Sequence, residues 1–141
     1  LVQKGLNKNL VDQINSDKQK ITESLLNSTI KKDQNLIALF KGIKEKGYQI
    51  AIATNSIKKS LFNILKKLDL MNLVDFTISN EDVDNIKPHS EIYLKTFMHF
   101  GLNPKNCLII EDSKIGREAH LQPRTKVTLR QVVCLELMHK T

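Results

Sequence analysis

Residues 49–56 read QIAIATNS and residues 107–113 read CLIIEDS: two short runs free of charge that each break off at a cluster of small polar or acidic residues. Such runs suit strands covered on both faces within a parallel sheet. Working outward from the first, Leu36, Ile37, Leu39, Phe40 and Ile43 recur at helical spacing between Gln34 and Lys46, and Gly47 follows as a stop. After Asn55-Ser56 the pattern turns helical again from Lys58 to Leu68, with Leu61, Ile64, Leu65 and Leu68 on one stripe. Phe76 to Ser79 reads as a short strand. Ser90 to Phe100 reads as a helix with Ser90 as its N-cap, Tyr93, Leu94, Phe97 and Met98 facing inward, and Gly101 at its end. Helix and strand alternating in this way predict a doubly wound α/β sheet.

The flanks differ from this middle. Residues 1–33 are polar and helical, with Leu6, Leu10, Val11, Ile14, Ile21, Leu25 and Leu26 as apolar positions, and predict one or two helices packed beside the sheet. Residues 117–141 contain no Ile, Asn, Asp, Gly, Phe or Tyr and hold every arginine of the chain. That break marks a tail of different origin, although Lys126–Leu129 and Gln131–Leu135 keep a strand-like composition. The chain opens on Leu1, so its natural N-terminus is expected upstream.

With 141 residues, 40% of them apolar, the chain can bury one core, and no apolar run approaches the length of a membrane span. The net charge of +7 is spread as +2 over residues 1–34, +2 over 35–119 and +3 over 120–141. Without a basic patch, and with no Trp and only two Tyr, a nucleic-acid or membrane-surface role is not expected. Cys107 and Cys134 form no disulfide framework or metal knuckle, which predicts a reducing, cytoplasmic setting. Gly42 and Gly47 lack the Lys-Ser/Thr of a phosphate loop, and the four histidines show no ligand spacing.

In open α/β sheets ligands gather beyond the carboxyl ends of the strands. Three clusters stand there. Thr54-Asn55-Ser56 would bring hydroxyls and backbone amides to a helix N-terminus, suited to a phosphate, though the same residues serve as ordinary caps. Lys87-Pro88, in a stiffened loop, could neutralise an anion. Glu111-Asp112 sets two carboxylates side by side, which suits a hard cation such as Mg²⁺ or else a solvated strand end. Together they describe a phosphoryl site.

From about Asn35 to Ala119 the sequence resembles the haloacid dehalogenase (HAD) superfamily, in the branch of phosphoglycolate-phosphatase and β-phosphoglucomutase-like proteins. IAIATNS (50–56), KPHSEIY (87–93) and CLIIEDSKIG (107–116) are similar to its second, third and fourth motifs, and SNEDVDNIKP (79–88) to the segment leading into the third. The resemblance implies a Mg²⁺-dependent phosphatase or phosphomutase acting on a small phosphorylated metabolite. Thr54 and Asn55 would hold phosphoryl oxygens, Lys87 would bridge nucleophile and phosphate, and Glu111 and Asp112 would surround the metal. The fold implied is a Rossmann-like core over residues 34–119, with residues 1–33 as the remnant of a helical cap and 120–141 an unassigned tail.

Family members open with a strand ending in Asp-x-Asp, whose first aspartate attacks phosphorus. The sole Asp-x-Asp here, Asp82-Val83-Asp84, falls in the polar loop before Lys87. The absent strand would lie between the strands ending at Thr54 and Glu111, so a gap is expected in the sheet. The chain as it stands is therefore expected to be inactive. The alternative is a non-catalytic α/β module that binds a partner or a phosphorylated ligand.

Overall fold

The structure, a computed structural model, describes residues 7–111, 113–120 and 132–135, with the backbone alone for residues 120 and 132–135. The chain divides into two compact units, residues 1–31 and 32–141. In the first, a single helix, α1 (Lys8–Thr29), runs unbroken, and the Asn7 side chain caps it by accepting from the Asn9 amide at 2.9 Å.

In the second unit, Asp33 starts α2 (Gln34–Glu45) by accepting from the amides of Asn35 and Leu36, two donors that the first turn would otherwise leave unpaired. Gly47 ends the turn that follows at φ +79°, where a side chain would be strained. Next come β1 (Gln49–Ala53), α3 (Lys58–Lys67), β2 (Phe76–Ile78), α4 (Glu91–Phe100), β3 (Cys107–Ile110), α5 (Lys114–His120) and β4 (Val132–Leu135).

Strand β1 is buried from Ile50 onward, and its alternating side chains serve two cores. Ile50 and Ile52 pack with Ile37 and Phe40 of α2 and Leu61 and Leu65 of α3. Ala51 and Ala53 pack with Ile92, Tyr93 and Phe97 of α4, Cys107 of β3 and Ala119 of α5. Helices thus cover both faces of one sheet, the doubly wound arrangement expected. Two inward assignments are corrected: on α4 Leu94 and Met98 are 39% and 78% exposed, while Ile92 and Thr96 are buried. Thr96 can face the core because its hydroxyl donates to the Ile92 carbonyl at 2.7 Å, which satisfies the polar atom within the helix. Ser90 precedes α4 without a side-chain capping bond.

The sheet order is β2-β1-β4-β3, with all neighbours parallel. The expected gap is closed. β4, drawn from the compositionally distinct tail, lies between β1 and β3, and Val133 is paired with Ile50 on one side and Leu108 on the other. The strand expectation for Gln131–Leu135 is met by its last four residues, whereas Lys126–Leu129 lies outside the described residues. Among the described residues no helix is long and apolar enough to cross a membrane.

Because β4 is flanked on both sides, a proline at position 133 removes a ladder donor from an interior strand. Val133→Pro is expected to lower stability by about 3 kcal/mol or more in a urea titration.

Candidate functional site

Parallel pairing puts the carboxyl ends of β1, β2 and β3 on one edge, and Thr54, Ser79 and Glu111 follow them directly. Thr54 is buried: its amide donates to the Ile78 carbonyl at 3.0 Å, and its hydroxyl accepts from the Ser56 amide at 3.1 Å. The first amide of α3, on Lys58, donates to Glu81 at 2.6 Å, so a carboxylate of this chain already faces that helix end. Sequence reading expected free amides there.

Lys87 arrives on the loop between β2 and α4, and that loop is tied down at several points. The Asn55 side chain accepts from the Lys87 amide at 3.2 Å and donates to the Lys87 carbonyl at 3.3 Å, which stitches the loop to the end of β1. Glu91 accepts from the amides of Asp84 and Asn85, each at 2.9 Å, and from the Asn85 side chain. Lys95 donates to the Asp82 carbonyl at 2.8 Å. The Lys87–Pro88 peptide bond is cis. Asp82 closes a capping box with Ser79 and pairs with Lys58 at 2.6 Å, in keeping with a structural role for the Asp-x-Asp of this loop.

These ties carry the Lys87 ammonium inward. Nζ donates to the Ala53 carbonyl at 3.1 Å and to Glu111 Oε2 at 3.0 Å, and both side chains of the pair are 1% exposed. The Tyr93 ring lies 4.8 Å from Nζ, and its hydroxyl donates to the same Oε2 at 2.8 Å. The other oxygen, Oε1, accepts from the Ser113 amide at 2.8 Å and the Ser113 hydroxyl at 2.7 Å. Ser113 Oγ in turn accepts from the Gly116 amide at 2.9 Å, and a Cβ at position 116 would overlap the Glu111 carboxylate. Sequence reading took Tyr93 as core. The signal for Tyr93 was its hydroxyl, which on a buried stripe must find a polar partner.

Thr54, Asn55, Lys87 and Glu111 therefore meet at one sheet edge, while Asp112 lies outside the described residues. A carboxylate has about four acceptor positions, and four donors already meet Glu111. Glu111 consequently does not fit a direct Mg²⁺ ligand as the sequence expected. Among the described residues no group of three or more His, Cys, Asp or Glu could hold a metal ion. Burial pushes the Cys107 thiol above its ordinary value, which keeps it protonated and inert.

Two outcomes are expected from these contacts. Gly116→Ala adds one methyl against a carboxylate pinned by four donors, and urea denaturation should register a loss of about 1–3 kcal/mol, the usual range for overpacking. Hydrogen bonds from Lys95, Asp84 and Asn85 lower the Glu91 carboxyl from 4.5 to about 2. The stabilisation is present above the ordinary value and is lost as pH falls through the lowered one. Protection of the Asp84 and Asn85 amides from hydrogen exchange should therefore hold at about pH 5 and decline toward about pH 2, and Glu91→Gln should weaken it at both.

Comparison with known proteins bears on the family and the fold. The chain is 28% identical over 111 residues to a phosphorylated carbohydrates phosphatase of Thermotoga maritima, covering 79% of this chain and 50% of that protein. It is 30% identical over 84 residues to a phosphoglycolate phosphatase of Nitrosococcus oceani, covering 57% of this chain and 37% of that one. The chain thus spans half or less of these relatives. Among solved structures, a HAD hydrolase of Entamoeba histolytica superposes with a TM-score of 0.70 at 25% identity, covering 82% of this chain and 53% of its own. A β-phosphoglucomutase of Clostridium difficile shares the fold with a TM-score of 0.63 at 24% identity, covering 83% and 51%. Residues 2–129 match the haloacid dehalogenase-like hydrolase family, and the chain belongs to that family.

Proposed function

We propose that this chain carries the phosphoryl-binding part of a HAD-type phosphatase or phosphomutase that acts on a small phosphorylated metabolite in a reducing, cytoplasmic setting. The observation that supports it best is the buried Lys87 ammonium, held at the carboxyl edge of the sheet on the Ala53 carbonyl, with the buried Thr54 following Ala53 directly in the chain. A preorganised cation and hydroxyl at a dry sheet edge favour an anion whose charge they need not reorganise to meet. In this reading Thr54, Asn55 and Lys87 bind the phosphoryl group, and Asn55 does so while keeping the Lys87 loop on β1. Lys87 is also the catalytic cation, offsetting charge on the phosphoryl oxygens. Residues 1–33 are assigned, by the same likeness, to the end of a helical cap.

Mg²⁺ would add Lewis-acid charge to the phosphoryl oxygens when bound, and Asp112 is the residue proposed to hold it. Covalent transfer needs a carboxylate nucleophile at a strand end. The Asp-x-Asp of this sequence is occupied in the 79–84 turn, where Ser79 and Lys58 engage Asp82. These 141 residues by themselves would therefore bind phosphate without turning over a phosphate ester. That same feature favours the second reading, a non-catalytic α/β module for a phosphorylated ligand.

Calorimetry with inorganic phosphate tests both. The chain should bind it, and Lys87→Met should weaken binding by about tenfold or more, as loss of a charge-assisted hydrogen bond would. Absence of binding by the unaltered chain rejects both readings. A longer form bearing an apolar strand that ends in Asp-x-Asp and takes the place of β4 between β1 and β3 should hydrolyse p-nitrophenyl phosphate in the presence of Mg²⁺, and Lys87→Ala or Asp112→Asn should abolish that. If such a form binds phosphate but never turns over, the module reading stands instead.

A further inference from the structure

The residues around Glu111 point to a different duty from the one its acidic neighbour suggests. We propose that Glu111 is a positioning residue that fixes the Lys87 ammonium, with its own carboxylate locked by Tyr93 and Ser113, and that it does not ligate Mg²⁺. The inference rests on the phosphoryl reading for what Lys87 does, and on side-chain geometry for what holds Lys87.

The donor count carries the argument. Oε2 meets Lys87 Nζ at 3.0 Å and the Tyr93 hydroxyl at 2.8 Å, and Oε1 meets the Ser113 amide at 2.8 Å and its hydroxyl at 2.7 Å. A metal bonding directly to either oxygen has to displace one of these donors. Displacing Lys87 or Tyr93 would leave a buried ammonium or phenol short of a partner, which is costly in a site this dry. Displacing the Ser113 pair would take an acceptor from the Ser113 amide and hydroxyl beside the first turn of α5, where Ser113 Oγ also accepts from the Gly116 amide. Gly116 adds a steric reason: only a residue without a Cβ lets the carboxylate lie where it does. Tyr93 acts twice, since its hydroxyl orients the carboxylate and its ring face lies by the ammonium at 4.8 Å, a contact that favours the cation. Glu111 thus aims the lysine, and Tyr93 aims Glu111.

Competitive acetylation of the folded chain with limiting acetic anhydride tests this. The rate at Lys87 is read by peptide mass spectrometry as a ratio to Lys44, which is paired with Asp75 outside the site. Glu111→Gln and Tyr93→Phe should each raise the Lys87 to Lys44 ratio severalfold, because the amine loses what holds it. Saturating Mg²⁺ should leave the ratio of the unaltered chain where it was. If Glu111→Gln loses its fold, both lysines rise together and Tyr93→Phe, which keeps the ring, decides. An unchanged ratio in Tyr93→Phe and Glu111→Gln, or a ratio that climbs when Mg²⁺ is added, overturns the proposal.

Inorganic phosphate separates the two levels. It should slow acetylation of Lys87, and the concentration giving half protection should rise in Tyr93→Phe, a change that a merely space-filling tyrosine would not produce. If phosphate fails to protect Lys87 in the unaltered chain, the phosphoryl reading falls while the link from Glu111 to Lys87 stands.

Discussion

An ammonium and a carboxylate facing each other at 3.0 Å, each 1% exposed, impose the strictest condition on this structure. Removing two ions from water costs several kcal/mol apiece, and their attraction offsets this only where the remaining donors and acceptors are also met. Here they are met from every side: the Ala53 carbonyl at the end of β1, the Tyr93 hydroxyl on α4, and the Ser113 amide and hydroxyl just before α5. Three elements far apart in sequence are held in one relative position because the ion pair tolerates no looseness among them.

The composition of β1 serves that condition. Its isoleucines, Ile50 and Ile52, fill the side covered by α2 and α3, while the site side carries only Ala51 and Ala53. Two methyl groups leave room for the bulk of Tyr93 and Phe97 to approach the strand, and the Lys87 stem reaches the Ala53 carbonyl from there. Packing and polarity are thus decided by the same alternation.

Much of this could be read from the residues. The isoleucine-rich β1, the stripe of α3 and the stop at Gly47 follow patterns whose physics is local, and the likeness of three motifs placed Thr54, Lys87 and Glu111 at a common edge. The failures have local causes too. On α4 a periodicity count prefers Leu94 and Met98 to Thr96, because it cannot see the hydroxyl paid off within the helix. A pair of adjacent carboxylates likewise says nothing about the donors that residues 87, 93 and 113 bring to Glu111. The place of β4 was out of reach for another reason. Strand order is a long-range property, and four apolar residues near the end of a chain carry no mark of which neighbours they will pair with.

That strand order also shapes how the molecule must be made. β4 is the last of the four strands to leave the ribosome, yet it lies between two that emerge before it. Until it arrives, β1 and β3 each present an open row of amides and carbonyls, the kind of border that invites foreign strands. Until β4 is made, nascent chains of this protein therefore pass through an interval of exposure to aggregation, and chaperones that shield such borders during synthesis would matter more here than for a sheet assembled in sequence order.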